Sequence, residues 1–180
     1  MQETPVKIKR NVFGDMMNGM QIRPMTADDW EDVRAIYQMG MDTNMATFQT
    51  ECPPFAQWDS SHLDSCRLVA EASGRVIGWA ALSPVSSRCV YAGVAEVSVY
   101  VDPTIHGKGI GTALLKQLCI ESEKDGLWTL QSGIMQDNSA SIRLHEKCGF
   151  RVIGYRERIG QDRNGIWRNT VLMEKRNTIE

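Results

Sequence analysis

Three stretches of this chain carry residue types whose spacing could support chemistry. The first runs Val101-Asp-Pro-Thr-Ile-His-Gly-Lys-Gly-Ile-Gly-Thr112, with glycines at 107, 109 and 111 between a strand-like and a helix-like pattern. A strand, glycine turn and helix in that order point several backbone N–H groups and a helix N-terminus at one spot, which favours a phosphate. It is not a Walker A loop, because Lys108 is followed by Gly109 rather than Ser or Thr. It is not a dinucleotide fingerprint either, because Thr112 stands where the third glycine belongs. A glycine turn needed only for close packing stays open as the plain alternative.

The second stretch is Ala95-Glu-Val-Ser-Val-Tyr-Val101, with Glu96 in mid-strand. A carboxylate there is costly to bury unless it has a partner or a task. With an ordinary pKa of about 4.3, it could take a proton from an amine only through a raised pKa or a water relay. It could instead orient an ammonium group, or be a salt-bridged structural residue. The third stretch is Asn138-Ser-Ala-Ser-Ile-Arg-Leu-His-Glu-Lys-Cys148. Asn138 suits a helix N-cap. Positions 138, 141, 142 and 145 share one helical face, and Ala140, Leu144 and Cys148 share another. The first row, with His145, is expected to face a ligand and the second the core. A core-satisfied or surface histidine is the alternative.

Elements must hold these groups in place. Thr26-Ala-Asp-Asp29 reads as a capping box with Asp at the last position, opening an amphipathic helix over 28–41. A second short helix is expected over 55–63. The long polar connection 42–54 suits a substrate-facing loop. Segments 67–72 and 76–84 flank Ser73-Gly74-Arg75 as a hairpin. Val94–Val101 is the clearest strand, and the helix after the glycine turn should bury Ile110, Ala113, Leu114 and Leu118. Strands follow over 128–134, 151–159 and 166–174. The order β-α-α-β-β-β-α-β-α-β-β implies an α/β (α+β) sheet with helices on its faces and hairpins at both ends. Residues 1–19 have no period and read as a flexible extension before a single domain over 20–176.

Composition narrows the function. With 20 Lys+Arg against 22 Asp+Glu, the net charge of −2 gives nucleic-acid binding no electrostatic basis. No apolar run approaches the ~20 residues of a membrane span, and no secretory signal opens the chain. Five scattered cysteines without a C-x-x-C pair favour reduced thiols, hence a cytoplasmic protein, over zinc or disulfides. His62 and His106 have no carboxylates at metal-ligand spacing, so no metal is expected. The tryptophans read as core or interface aromatics. Arg151, Arg156, Arg158, Arg163 and Arg168, interleaved with acids, read as a solvated face or a dimer contact.

The glycine loop His106-Gly-Lys-Gly-Ile-Gly111 resembles the [Q/R]-x-x-G-x-[G/A] loop of the GNAT superfamily of acyl-CoA-dependent N-acyltransferases, with His106 in place of Gln or Arg. Asn138 to Phe150 resembles that superfamily's later N-x-x-[AS]-x-x-[LF]-[YH]-x-[KR]-x-G-F motif. The chain is further similar to the phosphinothricin/methionine sulfoximine acetyltransferase branch through Ala95–Val101, Leu144-His-Glu146, Gly154-x-Arg156-Glu-Arg158, Trp167-Arg168 and the loop with Thr47-Phe48 and Glu51. The resemblance implies a largely antiparallel, splayed central sheet and acetyl-CoA as co-substrate. It assigns the pyrophosphate cradle to Gly107, Lys108, Gly109, Ile110, Gly111 and Thr112, and the pantetheine contacts to Val99, Tyr100, Val101 and Asn138. An N–H near Val99 would face the thioester oxygen. Glu96 would be the general base, and His145 the acid for the thiolate or a base. Ser87 and Arg88, opposite Glu96, Val97 and Ser98, would bind the substrate, with Arg88 gripping a carboxylate and Tyr91 a weaker candidate. The implied partners are a small amino-acid-like substrate and a second copy in a homodimer. Acetylation of a protein N-terminus, a Lys or a polyamine, and acyl-CoA sensing without turnover, are the rivals.

Overall fold

The computed structural model describes residues 19–105 and 107–178. The expected N-terminal extension, apart from Gly19, and His106 lie outside the described residues. Seven strands form one sheet in the order β1-β2-β3-β4-β5-β7-β6. They are β1 (Gln21–Pro24), β2 (Leu68–Ala72), β3 (Arg75–Pro84), β4 (Val94–Val101), β5 (Thr129–Met135), β6 (Arg151–Gln161) and β7 (Trp167–Arg176). The helices are α1 (Trp30–Asp42), α2 (Phe55–Ser61), α3 (Ile110–Lys124) and α4 (Ser139–Lys147). The element order is the one the periodicities imply. Ends move by one to three residues. The start of the first helix, for example, is a 3₁₀ turn over Ala27–Asp29, where the Thr26 N–H and hydroxyl both donate to Asp29.

All strand pairs are antiparallel except β4–β5. That parallel pair is brief: only Val94–Glu96 meet Thr129–Gln131. Beyond it β4 stays with β3 as far as Val101, and β5 stays with β7 as far as Met135. The sheet therefore parts between its two middle strands. Gly93 marks where the parallel contact begins. Its carbonyl accepts the N–H of Trp128 at 2.9 Å and of Thr129 at 3.1 Å. A Cβ on Gly93 would lie 2.1 Å from the Trp128 ring, so the approach requires glycine.

Each face of the sheet carries its own core. On one face, Trp30, Val33, Ile36, Tyr37 and Met41 of α1 pack on Trp58, Val69, Val76, Trp79 and Ala81. On the other, Ile110, Leu114, Leu115 and Leu118 of α3 pack on Leu68, Ala70, Ile77, Ala80, Leu82, Ala95 and Leu130. Leu115 replaces the expected Ala113 in the buried stripe, because the helix sits between two sheet rows and buries a wider arc. Side-chain alternation along β3 breaks once. Ala70 opposes Gly78 but Glu71 opposes Val76, so Ile77 is an extra residue. This bulge turns Val76 to the α1 face and Ile77 to the α3 face.

Candidate active site

The parted strands open into a cleft of about 890 Å³. Its floor is β4 from Glu96 to Val101 and β5 from Ser132 to Met135. The glycine loop, α4, residues 45–49, Arg156, Ile159 and Thr170 form its walls.

The glycine loop forms the donor end. Gly107 and Gly109 have φ of +80° and +82°, a left-handed conformation that side chains with a Cβ adopt at a cost. Gly109 is the N-cap of α3, and its carbonyl accepts the Ala113 N–H at 2.9 Å. The N-terminus of a 15-residue helix thus faces the cleft, with exposed Lys108 beside it. Dipole, free N–H groups and a cation together suit an anion. Buried Asp102 fixes the strand end. It accepts from the Thr104 N–H and hydroxyl and from Arg75.

The middle of the cleft carries Glu96. Its carboxyl is held above the ordinary carboxylate range, chiefly because the cleft walls remove water, while the Arg156 cation partly offsets this. Ser98 and Val97 line the same floor. Tyr100 stacks on Trp79 at 4.9 Å and meets Tyr37 edge-on at 4.8 Å. Burial pushes the phenols of both tyrosines up, that of Tyr37 to about 12. Both therefore remain neutral at ordinary pH. The Tyr37 hydroxyl donates to Gln49 at 2.6 Å and so touches the loop that lines the cleft.

His145 is 1% exposed yet borders the cleft. Its Nδ1 lies 2.8 Å from the Ser141 carbonyl. A carbonyl only accepts, so Nδ1 carries the proton and, in the neutral ring, Nε2 carries a lone pair. That Nε2 is buried and has no hydrogen-bond partner among the described residues. Burial holds the imidazole below its ordinary pKa. Phe150 packs edge-on to the ring at 5.0 Å. The site thus presents a neutral imidazole with an unused acceptor. Asn138 is the N-cap: its Oδ1 accepts the Ser141 N–H at 3.1 Å, and its Nδ2 donates to the Met45 carbonyl at 3.1 Å.

The rows of α4 differ from the periodic reading. Ala140 lines the cleft and Ile142 packs on the core, while Leu144 packs on the core as expected and also borders the cleft. The helix lies along the rim of the parted sheet, so its apolar residues divide between core and cleft wall. Asn138, Ser141, His145 and Cys148 take the expected sides. The structure brings Glu96, Val97, Ser98, Val99, Tyr100, Val101, the 107–112 loop, Asn138 and His145 to one cleft. Ser87 and Arg88 are not among its lining residues. The 3₁₀ turn Cys89–Tyr91 carries them to solvent, with the Arg88 guanidinium 5.6 Å over the Tyr91 ring. Of the cations that line the cleft, the one that acts on Glu96 is Arg156, from the arginine set read as a solvated face or dimer contact. Its register partner Thr170 also lines the cleft. The signal available was its strand position opposite a polar β7 residue. Among the described residues, no group of three His, Cys, Asp or Glu could hold a metal ion.

Comparison with known proteins agrees with this geometry. The profile of the acetyltransferase (GNAT) family matches residues 30–150. The chain is 32% identical over 158 residues to a phosphinothricin N-acetyltransferase of Streptomyces coelicolor, covering 82% of this chain and 91% of that one. It is 36% identical over 107 residues to an L-methionine sulfoximine/L-methionine sulfone acetyltransferase of Salmonella typhimurium, covering 59% and 62%. The crystal structure of a GNAT superfamily phosphinothricin acetyltransferase from Sinorhizobium meliloti, in complex with AcCoA, superimposes with a TM-score of 0.80 at 28% identity. That match covers 88% of each chain.

The buried neutral imidazole has a consequence for stability. Its folded pKa lies below its unfolded value of about 6.5. Folding therefore gains from His145 in full above that pH, and loses the gain as pH falls through and below it. Urea unfolding of wild type and His145→Gln between pH 7.5 and 5 checks this. The stability difference between them should shrink as pH falls, and a constant difference would contradict it.

Proposed function

The chain belongs to the GNAT acetyltransferase family, and we propose that it acetylates the α-amine of a small amino-acid-like substrate of the phosphinothricin, methionine sulfoximine or methionine sulfone type. Acetyl-CoA is the acetyl donor. The glycine turn with φ of +80° and +82°, the helix N-terminus and the unpaired edge of β4 fit its pyrophosphate and pantetheine arm. In this reading Gly107 to Thr112 hold the pyrophosphate, and Val99 to Val101 pair with the arm as a further strand. Asn138, whose side chain already joins the helix cap to the Met45 carbonyl, borders that arm.

The observation that carries the substrate reading is one cleft holding Glu96 and Arg156 within electrostatic reach of each other. An α-amino acid is a zwitterion. Glu96 orients its ammonium and, with its raised pKa, takes a proton through water. Arg156 faces its carboxylate or a second anionic group. Val97 and Ser98 shape the floor, and Ser87 and Arg88 lie outside this contact set. His145 offers Nε2 as a proton acceptor, since its proton sits on Nδ1. The amine attacks the thioester directly in a ternary complex. The C–N bond forms, the C–S bond breaks, and the amine's proton balances the thiolate. A backbone N–H near Val99 would meet the charge developing on the carbonyl oxygen.

Homodimerisation and a cytoplasmic location belong to the same reading, with the catalytic fold over 20–176. Five unpaired thiols support the location. The edge strand β6 and the start of β7 support the dimer. Val152, Tyr155, Ile159 and Trp167 are exposed there, and Glu157 between Arg156 and Arg158 makes the strand self-complementary in charge. Light scattering should find a dimer for wild type and a folded monomer for Val152→Asp/Trp167→Asp. A wild-type monomer would remove this part.

Thiol release from acetyl-CoA tests the activity. Saturable turnover is expected on methionine sulfoximine or phosphinothricin, and a loss of roughly 10²-fold or more in kcat/KM for Glu96→Gln. Release only with peptides or polyamines would discard the substrate class. No release on any amine would leave acyl-CoA sensing. The pH profile supplies a further check. Arg156 favours the ionised Glu96, so Arg156→Gln should move the acidic limb of kcat/KM to higher pH and raise the amino-acid KM. An unmoved limb would mean that Glu96 does not set it.

A further inference from the structure

The wall formed by residues 45–49 belongs to a long connection between α1 and α2, yet it is fastened by residues more than 90 positions away. Asp162, at the β6–β7 turn, is 8% exposed. It accepts from the Asn164 and Ile166 N–H groups at 2.9 and 3.1 Å. It also accepts from Asn44 Nδ2 at 3.1 Å and Arg168 Nη1 at 3.1 Å. The same Arg168 nitrogen reaches the Asn44 carbonyl at 3.4 Å, and Nη2 binds Asp137 at 2.6 Å, beside the α4 cap. Arg163 adds a contact to the Met41 carbonyl at 2.9 Å. Asn44 itself has φ of +56°, and directly after it Met45 is held through its carbonyl by Asn138. A Cβ on Gly160 would sit 3.0 Å from the Phe48 ring, so the hairpin backbone also lies against the loop.

We infer that Asp162 and Arg168 are positioning residues: they clamp Asn44 and so set the acceptor-side wall made by residues 45–49, acting on the second substrate and not on acetyl-CoA. The glycine loop stands apart, although Asn138 and Tyr100 also touch the 45–49 wall at Met45 and Thr47. The 107–112 loop and β4 make none of the hydrogen bonds in this clamp. A carboxylate that collects four donors while nearly buried is held in one geometry, and its loss leaves Asn44 and Arg168 without their shared acceptor. The loop then loses its ties to Asp162 and keeps those to Asn138, Tyr37, Tyr100 and Gln38.

This inference rests on the acceptor reading for its kinetic arm, and a second arm is independent of turnover. With methionine sulfoximine as acceptor, Asp162→Asn and Arg168→Met should raise the acceptor KM at least tenfold. The KM for acetyl-CoA should stay within twofold. The double variant Asn44→Asp/Asp162→Asn, which restores a donor–acceptor pair in reverse, should recover most of the acceptor KM. A general loss of structure would move both KM values together. Amide hydrogen exchange in the absence of substrate is the second arm. Asp162→Asn should speed exchange over 44–50 and leave β4 and α3 unchanged. Parallel rises in both KM values, or unchanged exchange at 44–50, would overturn the inference. Faster exchange without any turnover on methionine sulfoximine would support the clamp and count against the substrate reading alone.

Discussion

Everything at this site depends on β4 and β5 pairing for three residues and then separating. Backbone N–H and C=O groups need partners, and a sheet normally supplies them. Here each strand keeps its outer neighbour, β3 or β7, so neither frays. The inner groups beyond Glu96 are left facing a cleft. A mid-sheet opening is a sheet edge protected from other proteins by its own walls, and it can accept an extended ligand in place of a strand. The Gly93–Trp128 approach sets where pairing begins, and α3 and α4 occupy the far end. Both the width of the opening and the point at which it starts are therefore consequences of packing.

That opening also explains the electrostatics. Glu96 lies at the last paired position, exposed to the cleft but recessed between its walls. Its raised pKa follows from that position. His145 lies on the opposite rim, where α4 meets Phe150 and the core. The ring is buried deeply enough to stay neutral, and the helix backbone fixes its tautomer through Ser141. Desolvation thus drives both groups toward their neutral forms, His145 fully buried and Glu96 only recessed in an open cleft. Arg156 and Lys108, both exposed, border the same cleft.

Features set by short-range rules were readable in the sequence. The glycine turn, the Asn138 cap, the Thr26–Asp29 box and the β4 strand depend on residues within a few positions of one another. The order of elements followed, and so did the convergence of Glu96, the glycine loop and His145. What could not be read depends on distant crossings. Ile77 as a bulge is decided by the β2 register, which no alternation within β3 reveals. Ala140 looks like a core residue by period and lines the cleft because α4 lies on a rim. The sequence points to Arg88 as the substrate cation and leaves Arg156 on a solvated face or dimer contact. A 3₁₀ turn leaves Arg88 facing solvent, and the β6–β7 hairpin carries Arg156 to the cleft wall.

Two parts of the cleft are built by different means. The donor end is backbone geometry: left-handed glycines, a helix terminus and a strand edge, none of which reads a side chain. The wall made by residues 45–49 is a loop held by hydrogen bonds to side chains of β7, the α4 cap and the hairpin turn. Backbone geometry tolerates few replacements but suits one invariant ligand. A loop held at its base can change residues at its tip without disturbing the fold, provided the base stays fixed. A rigid half and a clamped half thus share one sheet, and the five residues from Met45 to Gln49 line the cleft on the clamped side.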